Sequence, residues 1–261
     1  MSHPPRRTLV GALRAAAVTT AALAVTVVAL GPVPPAGAAG TGPDAYTVRG
    51  FDSSHHNHET KNGDKAYDWP AVVRGGQSFV YLKATEGLTF DDGWFGRDIA
   101  GARSVDLVHG AYHFFKPDKD GTAQADHFLD VLRREGLTGA GPGELPPALD
   151  LEECGKDGRI PLGQVKAFLQ RVRQVTGTAP VVYTRRNVVD ECLGGTKDLA
   201  GHRSWLARYG TTAPQPLPGA AGWDFWQHSE RAGVPGTAGL PMDADVFHGD
   251  LAALHRLAHV G

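Results

Sequence analysis

Eight short apolar segments, at 46–52, 78–86, 108–115, 147–152, 180–184, 204–209, 223–227 and 243–247, each end on a polar or aromatic residue. Their richness in Val, Phe, Tyr and Leu predicts strands. Helical stretches are predicted between the early ones, at 92–104, 122–135 and 162–176. In the last of these, Val165, Phe168, Leu169 and Val172 recur at intervals of three and four. Strands alternating with helices imply a parallel sheet, and closing that sheet into a barrel gathers the polar strand ends at one mouth. After Tyr209 the spacers shorten and fill with Pro and Gly, as at 211–222 and 231–241. Parallel neighbours need a long crossover, so the final strands must join by tighter connections. The expected fold is therefore α/β, an irregular TIM-like (β/α) barrel of eight strands with about five helical crossovers.

The chain opens with an export signature. Arg6, Arg7 and Arg14 precede an uncharged apolar run at 15–30, and Ala36-Gly37-Ala38 offers a small-residue cleavage site. Sixteen residues rich in Ala, Thr and Val are short for a bilayer span, so cleavage after Ala38 is expected. This divides the chain into a signal peptide at 1–38, a short segment at 39–45 and a catalytic barrel at 46–261. The expected product is secreted, with the twin-arginine route left open, and it acts as a monomer with no membrane association. Losing residues 1–38 takes away three arginines and no acid, which moves the balance from 26 basic against 28 acidic residues to 23 against 28. A mildly acidic surface excludes nucleic acid as a partner, because displacing counterions needs basic groups. The two cysteines, Cys154 and Cys192, would meet an oxidising compartment, where a disulfide is expected in preference to two thiols.

The strongest chemical signal is Ala148-Leu149-Asp150-Leu151-Glu152, an apolar strand closing on acids at i and i+2. Strand alternation puts Asp150 and Glu152 on one face, with Leu149 and Leu151 turned into packing. Two like charges about 5 Å apart, at an effective dielectric of about 20, repel by about 3 kcal/mol. One acid then keeps its proton while the other stays charged, the division of labour that glycoside cleavage requires. Asp52, Glu86 and Asp243 stand at the ends of other strands and would converge on the same mouth. Tyr112, Tyr183 and Trp226 are expected there too, since aromatic faces pack on the apolar faces of sugars.

Other constellations are weaker. His55-His56-x-His58 offers imidazoles, but adjacent side chains on a strand point apart. Asp243-Ala244-Asp245 is a three-residue likeness to metal-using glycosyltransferases, and neither a Ser nucleophile elbow nor a phosphate-cradling glycine loop occurs. No metal and no cofactor is expected.

Taken together, the ordered motifs resemble one family. Gly50-Phe51-Asp52-Ser53-Ser54-His55, Asp68-Trp69, and Phe79-Val80-Tyr81-Leu82-Lys83-Ala84-Thr85-Glu86-Gly87 resemble the opening signature of glycoside hydrolase family 25 lysozymes. The likeness continues through Gly110-Ala111-Tyr112-His113-Phe114, Asp150-Leu151-Glu152, Val182-Tyr183-Thr184, Trp205-Leu206-Ala207-Arg208-Tyr209, Phe225-Trp226-Gln227 and Asp243. Ser53 departs from it, standing where an aliphatic residue is usual, and so does Asn57-His58, which replaces Gln-Gly. The resemblance implies an eight-stranded irregular barrel with five crossovers that hydrolyses the β-1,4 bond between N-acetylmuramic acid and N-acetylglucosamine in peptidoglycan. It makes Glu152 the general acid, Asp150 its partner, and Asp52 and Asp243 further acids of the cleft. It also places Cys154 and Cys192 where secreted members carry a bridge. Two mechanisms stay open: attack by the substrate's own N-acetyl group, which the close spacing of Asp150 and Glu152 favours, and inversion by an activated water, which needs carboxyls roughly 6.5 to 9.5 Å apart. The rival functions are a catalytically silent peptidoglycan-binding protein and a chitin-directed N-acetylhexosaminidase.

Overall fold

A computed structural model describes Met1 and residues 42–59 and 63–260, so the expected signal segment and cleavage point at 1–38 fall, Met1 apart, outside the described residues. The chain runs through β1 (Arg49–Ser53), α1 (Trp69–Arg74), β2 (Gln77–Glu86), β3 (Phe90–Asp91), α2 (Phe95–Arg103), β4 (Val108–Phe114) and α3 (Gly121–Arg134). It continues through β5 (Ala148–Leu151), α4 (Leu162–Thr176), β6 (Val181–Thr184), α5 (Arg186–Cys192), β7 (Ser204–Ala207), β8 (Phe225–Gly233), β9 (Pro241–Phe247) and α6 (Leu251–Leu257). Each pairing from β1 to β2, β4, β5, β6, β7 and β8 in turn is parallel. β9 then runs antiparallel to both β8 and β1 and closes the barrel. The two-residue β3 is a spur on the end of β2.

The expected eight-stranded barrel is therefore present, with helices α1 to α5 in the five crossovers and no helix between β7 and β8 among the described residues. The last hairpin is longer than its apolar segments indicate. β8 and β9 stay paired as far as Gly233 and Pro241, with register shifts on either side of Ser229. This extension carries Glu230 and Arg231 and is solvated, so it lacks the alternation that marks a half-buried strand.

Local chemistry sets the helix ends. Asp120 accepts from Ala123 N at 2.8 Å to start α3, and Asp68 does the same for α1 from Ala71 N at 3.0 Å. α4 stops at Gly177, whose φ of 74° is the left-handed conformation that glycine adopts without strain. α3 and α4 approach closely at Gly121, where an added Cβ would collide with the backbone carbonyl of Gln164. Phe128 and Phe168 stack across this contact, with ring centroids 6.0 Å apart.

Strand alternation sorts the core into two layers. Val80, Leu82, Leu149, Leu151, Val182, Leu206 and Trp226 face outward to the helices. Phe79, Tyr81, Tyr112, Tyr183, Trp205, Phe225 and Phe247 face inward and fill the barrel. Phe225 lies 5.3 Å from Phe79 and 5.0 Å from Phe247 between ring centroids, while Tyr81 stacks on Trp205 at 4.8 Å. Polar residues of the inward set are left at the strands' carboxyl ends, where the lumen opens. Cys154, just after β5, is bridged to Cys192 at the end of α5, with Cα atoms 5.8 Å apart. Among the described residues no helix is long and apolar enough to cross a membrane.

Candidate active site

The open end of the barrel forms a cleft of about 410 Å³. Asp52, Glu86, Tyr112, Asp150, Glu152, Tyr183 and Asp243 all line it. Alternation explains the convergence: Asp52, Asp150 and Asp243 share parity with the inward residues of their strands, while Phe51, Leu149 and Leu151 belong to the outer layer. β9 runs the other way, so Asp243 reaches the mouth from near the beginning of its strand, directly opposite Asp52.

Trp226 is not brought to the cleft. Its parity turns it outward, where it is 0% exposed and donates from Nε1 to the Arg208 carbonyl at 2.7 Å. Trp205, paired with Tyr183 in the adjacent strand, takes the place expected for it. Counting inward positions from Tyr183 through the parallel register would have selected Trp205. The sequence reading also passed over Lys83, Arg185, Gln227 and Glu230 as site residues, and all four line the cleft. Lys83 shares the inward parity of Tyr81, a signal available in the strand pattern.

The two acids of the Asp-x-Glu motif sit differently from each other. β5 ends at Leu151, so Glu152 stands on the following loop with its side chain 25% exposed, and its Oε2 accepts from Arg185 Nη2 at 2.8 Å. Asp150 is deeper, at 5% exposure, and its buried Oδ1 has no hydrogen-bond partner among the described residues. Burial raises the Asp150 carboxyl well above the ordinary range, and the negative charge of Glu152 raises it further. The repulsion anticipated from the spacing is therefore present, but burial is the larger cause.

A second polar chain crosses the floor. Gln227 Nε2 donates to Asp52 Oδ2 at 2.7 Å, while Tyr183 Oη and Tyr209 Oη donate to Gln227 Oε1 at 3.0 and 3.3 Å. Trp205 Nε1 donates to Asp245 Oδ1 at 2.7 Å. Burial, then the charges of Asp243 and Asp245, raises Asp52 well above the usual range. Asp243 is raised to about 6 by burial and then by Glu230 and Glu152. Burial also acts to raise Glu86, but Lys83 and Lys116, at 2.7 and 2.9 Å, outweigh it and hold this carboxyl below the ordinary range. Glu86 is thus a charged anchor for Lys83, itself buried at the edge of the cleft.

Of the three histidines near β1, His55 and His56 stand on a 3-10 turn rather than a strand and their rings pack with centroids 3.8 Å apart, while His58 is bonded away from them. His55 Nδ1 bonds Asp92 Oδ2 at 2.9 Å, and His56 lines the cleft. His58 is fully buried, with Nδ1 on the Lys65 carbonyl at 2.6 Å, Nε2 on Asp98 Oδ2 at 2.7 Å, and its ring stacked on Trp94. Both ring nitrogens of His58 are taken, so it is a packing and bonding element of the first loop. Among the described residues no cluster of His, Cys, Asp or Glu is arranged to hold a metal.

Residues 51–237 match the family model described as Glycosyl hydrolases family 25. The chain is 31% identical to Lysozyme M1 of Streptomyces globisporus, over 84% of this chain and 77% of that protein. It is also 31% identical to an N,O-diacetylmuramidase of Arthroderma benhamiae, over 83% and 89%. Among solved structures it resembles the bacterial lysozyme from Streptomyces coelicolor at a TM-score of 0.71 and 31% identity, covering 81% of this chain and 96% of that one.

Proposed function

This chain belongs to glycosyl hydrolases family 25 and hydrolyses bacterial peptidoglycan as a lysozyme; we propose that Asp150 and Glu152 do the chemistry, with the substrate's own N-acetyl group as nucleophile. The observation that carries this reading is the buried, unpartnered Oδ1 of Asp150 beside Glu152. A buried acceptor without a donor is costly, and because Asp150 lines the cleft a turn of its carboxyl would bring it to the N–H of an N-acetyl group. Burial and the neighbouring Glu152 make Asp150 retain a proton to higher pH than an isolated carboxyl would. Binding the N–H at Asp150 favours the charged form of that residue and leaves that proton to Glu152.

The acetamido oxygen then attacks the anomeric carbon. The bond from that carbon to the leaving sugar's oxygen breaks as Glu152 protonates the oxygen. Charged Asp150 steadies the positive character that develops on the acetamido nitrogen. Water afterwards opens the cyclic intermediate and returns a proton to Glu152. Asp52 and Asp243 also line the cleft, with the rings of Tyr112 and Tyr183 as apolar faces for the sugars, while the Tyr183 hydroxyl is held by Gln227. The basic start, apolar run and small-residue site at 1–38 support export, and the disulfide fits an oxidising destination. Amino-terminal sequencing of protein from the medium should begin near Ala39; finding Met1 there would refute cleavage.

The test of the chemistry is Glu152→Gln on soluble peptidoglycan strands, with the new reducing end identified. Loss of a general acid is expected to lower the rate by about 10² to 10⁴, and Asp150→Asn should also be severe while both variants stay folded, Asp150→Asn with an unfolding midpoint at neutral pH no lower than that of wild type. Retention of more than about a tenth of the rate by Glu152→Gln would overturn the assignment. Release of N-acetylglucosamine reducing ends, or equal cleavage of chitin, would overturn the bond specificity.

A further inference from the structure

Beside the cleft lies a second cavity of about 300 Å³, and its charge is the opposite of its neighbour's. Arg185, Arg186 and Arg208 line it, and none of its lining residues is acidic. The cleft is walled by six carboxyls, Asp52, Glu86, Asp150, Glu152, Asp243 and Glu230. Arg185 and Tyr209 belong to both walls, so the two spaces adjoin. Arg185 is committed to Glu152, and Arg186 Nε is paired with both Asp190 oxygens at 3.0 and 2.9 Å. Arg208 differs from both. It is exposed, its Nη1 donates to the Ala213 carbonyl at 3.3 Å, and it has no acid partner among the described residues. A guanidinium presents a planar fork suited to a carboxylate, and Leu206, Ala207 and Pro214 add apolar surface next to it.

We propose that this cavity receives a carboxylate of the peptide stem attached to the muramoyl residue, an inference that rests on the lysozyme reading above. The stem is carried on the ring carbon next to the one bearing the N-acetyl group. If that acetamide faces Asp150, the stem leaves the sugar among carboxyls, and the two basic side chains of the cleft wall, Lys83 and Arg185, are already bonded to Glu86 and Glu152 rather than free for an acid it carries. The adjoining cavity is where that charge is compensated, with Arg208 as the cation not already taken. The occupant is covalently continuous with the sugar in the cleft, which favours a stem carboxylate over an unattached anion.

The experiment compares wild type with Arg208→Gln by KM and kcat on soluble strands stripped of phosphodiester-linked wall polymers. The strands carry either native stem carboxylates or stems amidated to neutrality, and unfolding midpoints check both proteins. Arg208→Gln is expected to raise KM on native strands by about three- to tenfold with kcat unchanged. Amidation should raise the wild-type KM by a similar factor and leave Arg208→Gln nearly unaffected. High salt should narrow the gap between the two proteins. Three outcomes would overturn the proposal: an unchanged KM on native strands, an equal penalty on amidated strands, or an effect seen only on walls that retain their phosphodiester polymers. If wild type cut none of the strands, the lysozyme reading would fall and take this inference with it, whereas cleavage insensitive to Arg208 would sink the inference alone.

Discussion

Asp243→Asn is expected to stabilise the protein, and to do so only above acidic pH. In the folded chain burial, with help from Glu230 and Glu152, brings the Asp243 carboxyl to about 6, against about 3.9 for an unfolded aspartate. Between those two values the folded protein holds a proton that the unfolded chain has lost, so stability falls as pH rises through the window. The full penalty is present above about pH 6, and at about 1.4 kcal/mol per decade it amounts to at most about 3 kcal/mol. Asparagine keeps the shape and carries no charge, so the variant should match wild type near about pH 3.5 and gain progressively between about pH 4 and 6. At about pH 8 the gain should reach at most about 3 kcal/mol, or an unfolding midpoint higher by up to about 6 to 12 °C for a domain of this size. Denaturant unfolding of both proteins across this pH range is the assay. A difference that does not change with pH, or a variant less stable than wild type at about pH 8, would refute the argument. The same variant should lose activity if Asp243 serves the substrate, a stability gain set against function.

Two further outcomes are expected. Replacing both Cys154 and Cys192 by serine opens a link between residues 38 positions apart and should cost about 3 to 4 kcal/mol in reversible unfolding; mass measurement of the native protein should find no thiol to alkylate. His58→Leu leaves Asp98, buried and 2.7 Å from the lost ring nitrogen, without its partner, and should cost about 3 to 5 kcal/mol. A denaturation loss below about 1 kcal/mol would mean that the pair contributes little to the fold.

The barrel was legible because its strands are short apolar runs that stop abruptly on polar residues, and the late change in spacer chemistry marked where the parallel rule breaks. What escaped has physical causes. α1 and α5 have only six and seven residues, too few turns for an apolar stripe to repeat; α1 is held by its Asp68 cap and both by buried side chains, Trp69 and Val72 in one and Val188, Val189 and Cys192 in the other. An aromatic near a strand end does not by itself face the mouth: neighbours along a strand face opposite ways, so Trp226 packs outward and Gln227 is the one that points in. The Asp-x-Glu pair was found, but its depth was not. Alternation predicts a shared face, yet the strand ends one residue before Glu152 and leaves that acid at the lip on an arginine from the next loop. Arg185 and Arg208 gave no warning, because an arginine in a loop is ordinarily a solvated one and only the closed barrel shows what it faces.

The closing strand also sets the order in which this molecule can become active. β9 inserts between β8 and β1, pairing Arg49–Asp52 with Asp243–Val246 across almost the whole described chain. Until that insertion occurs, β1 and β8 keep open edges, and contacts so distant in sequence are slow to form. Asp52 and Asp243 meet only in that step, so the acid wall lacks its Asp243 side in any chain whose β9 is not yet seated. The complete acid wall of the cleft is thus a product of the pairing that joins the two ends of the described chain.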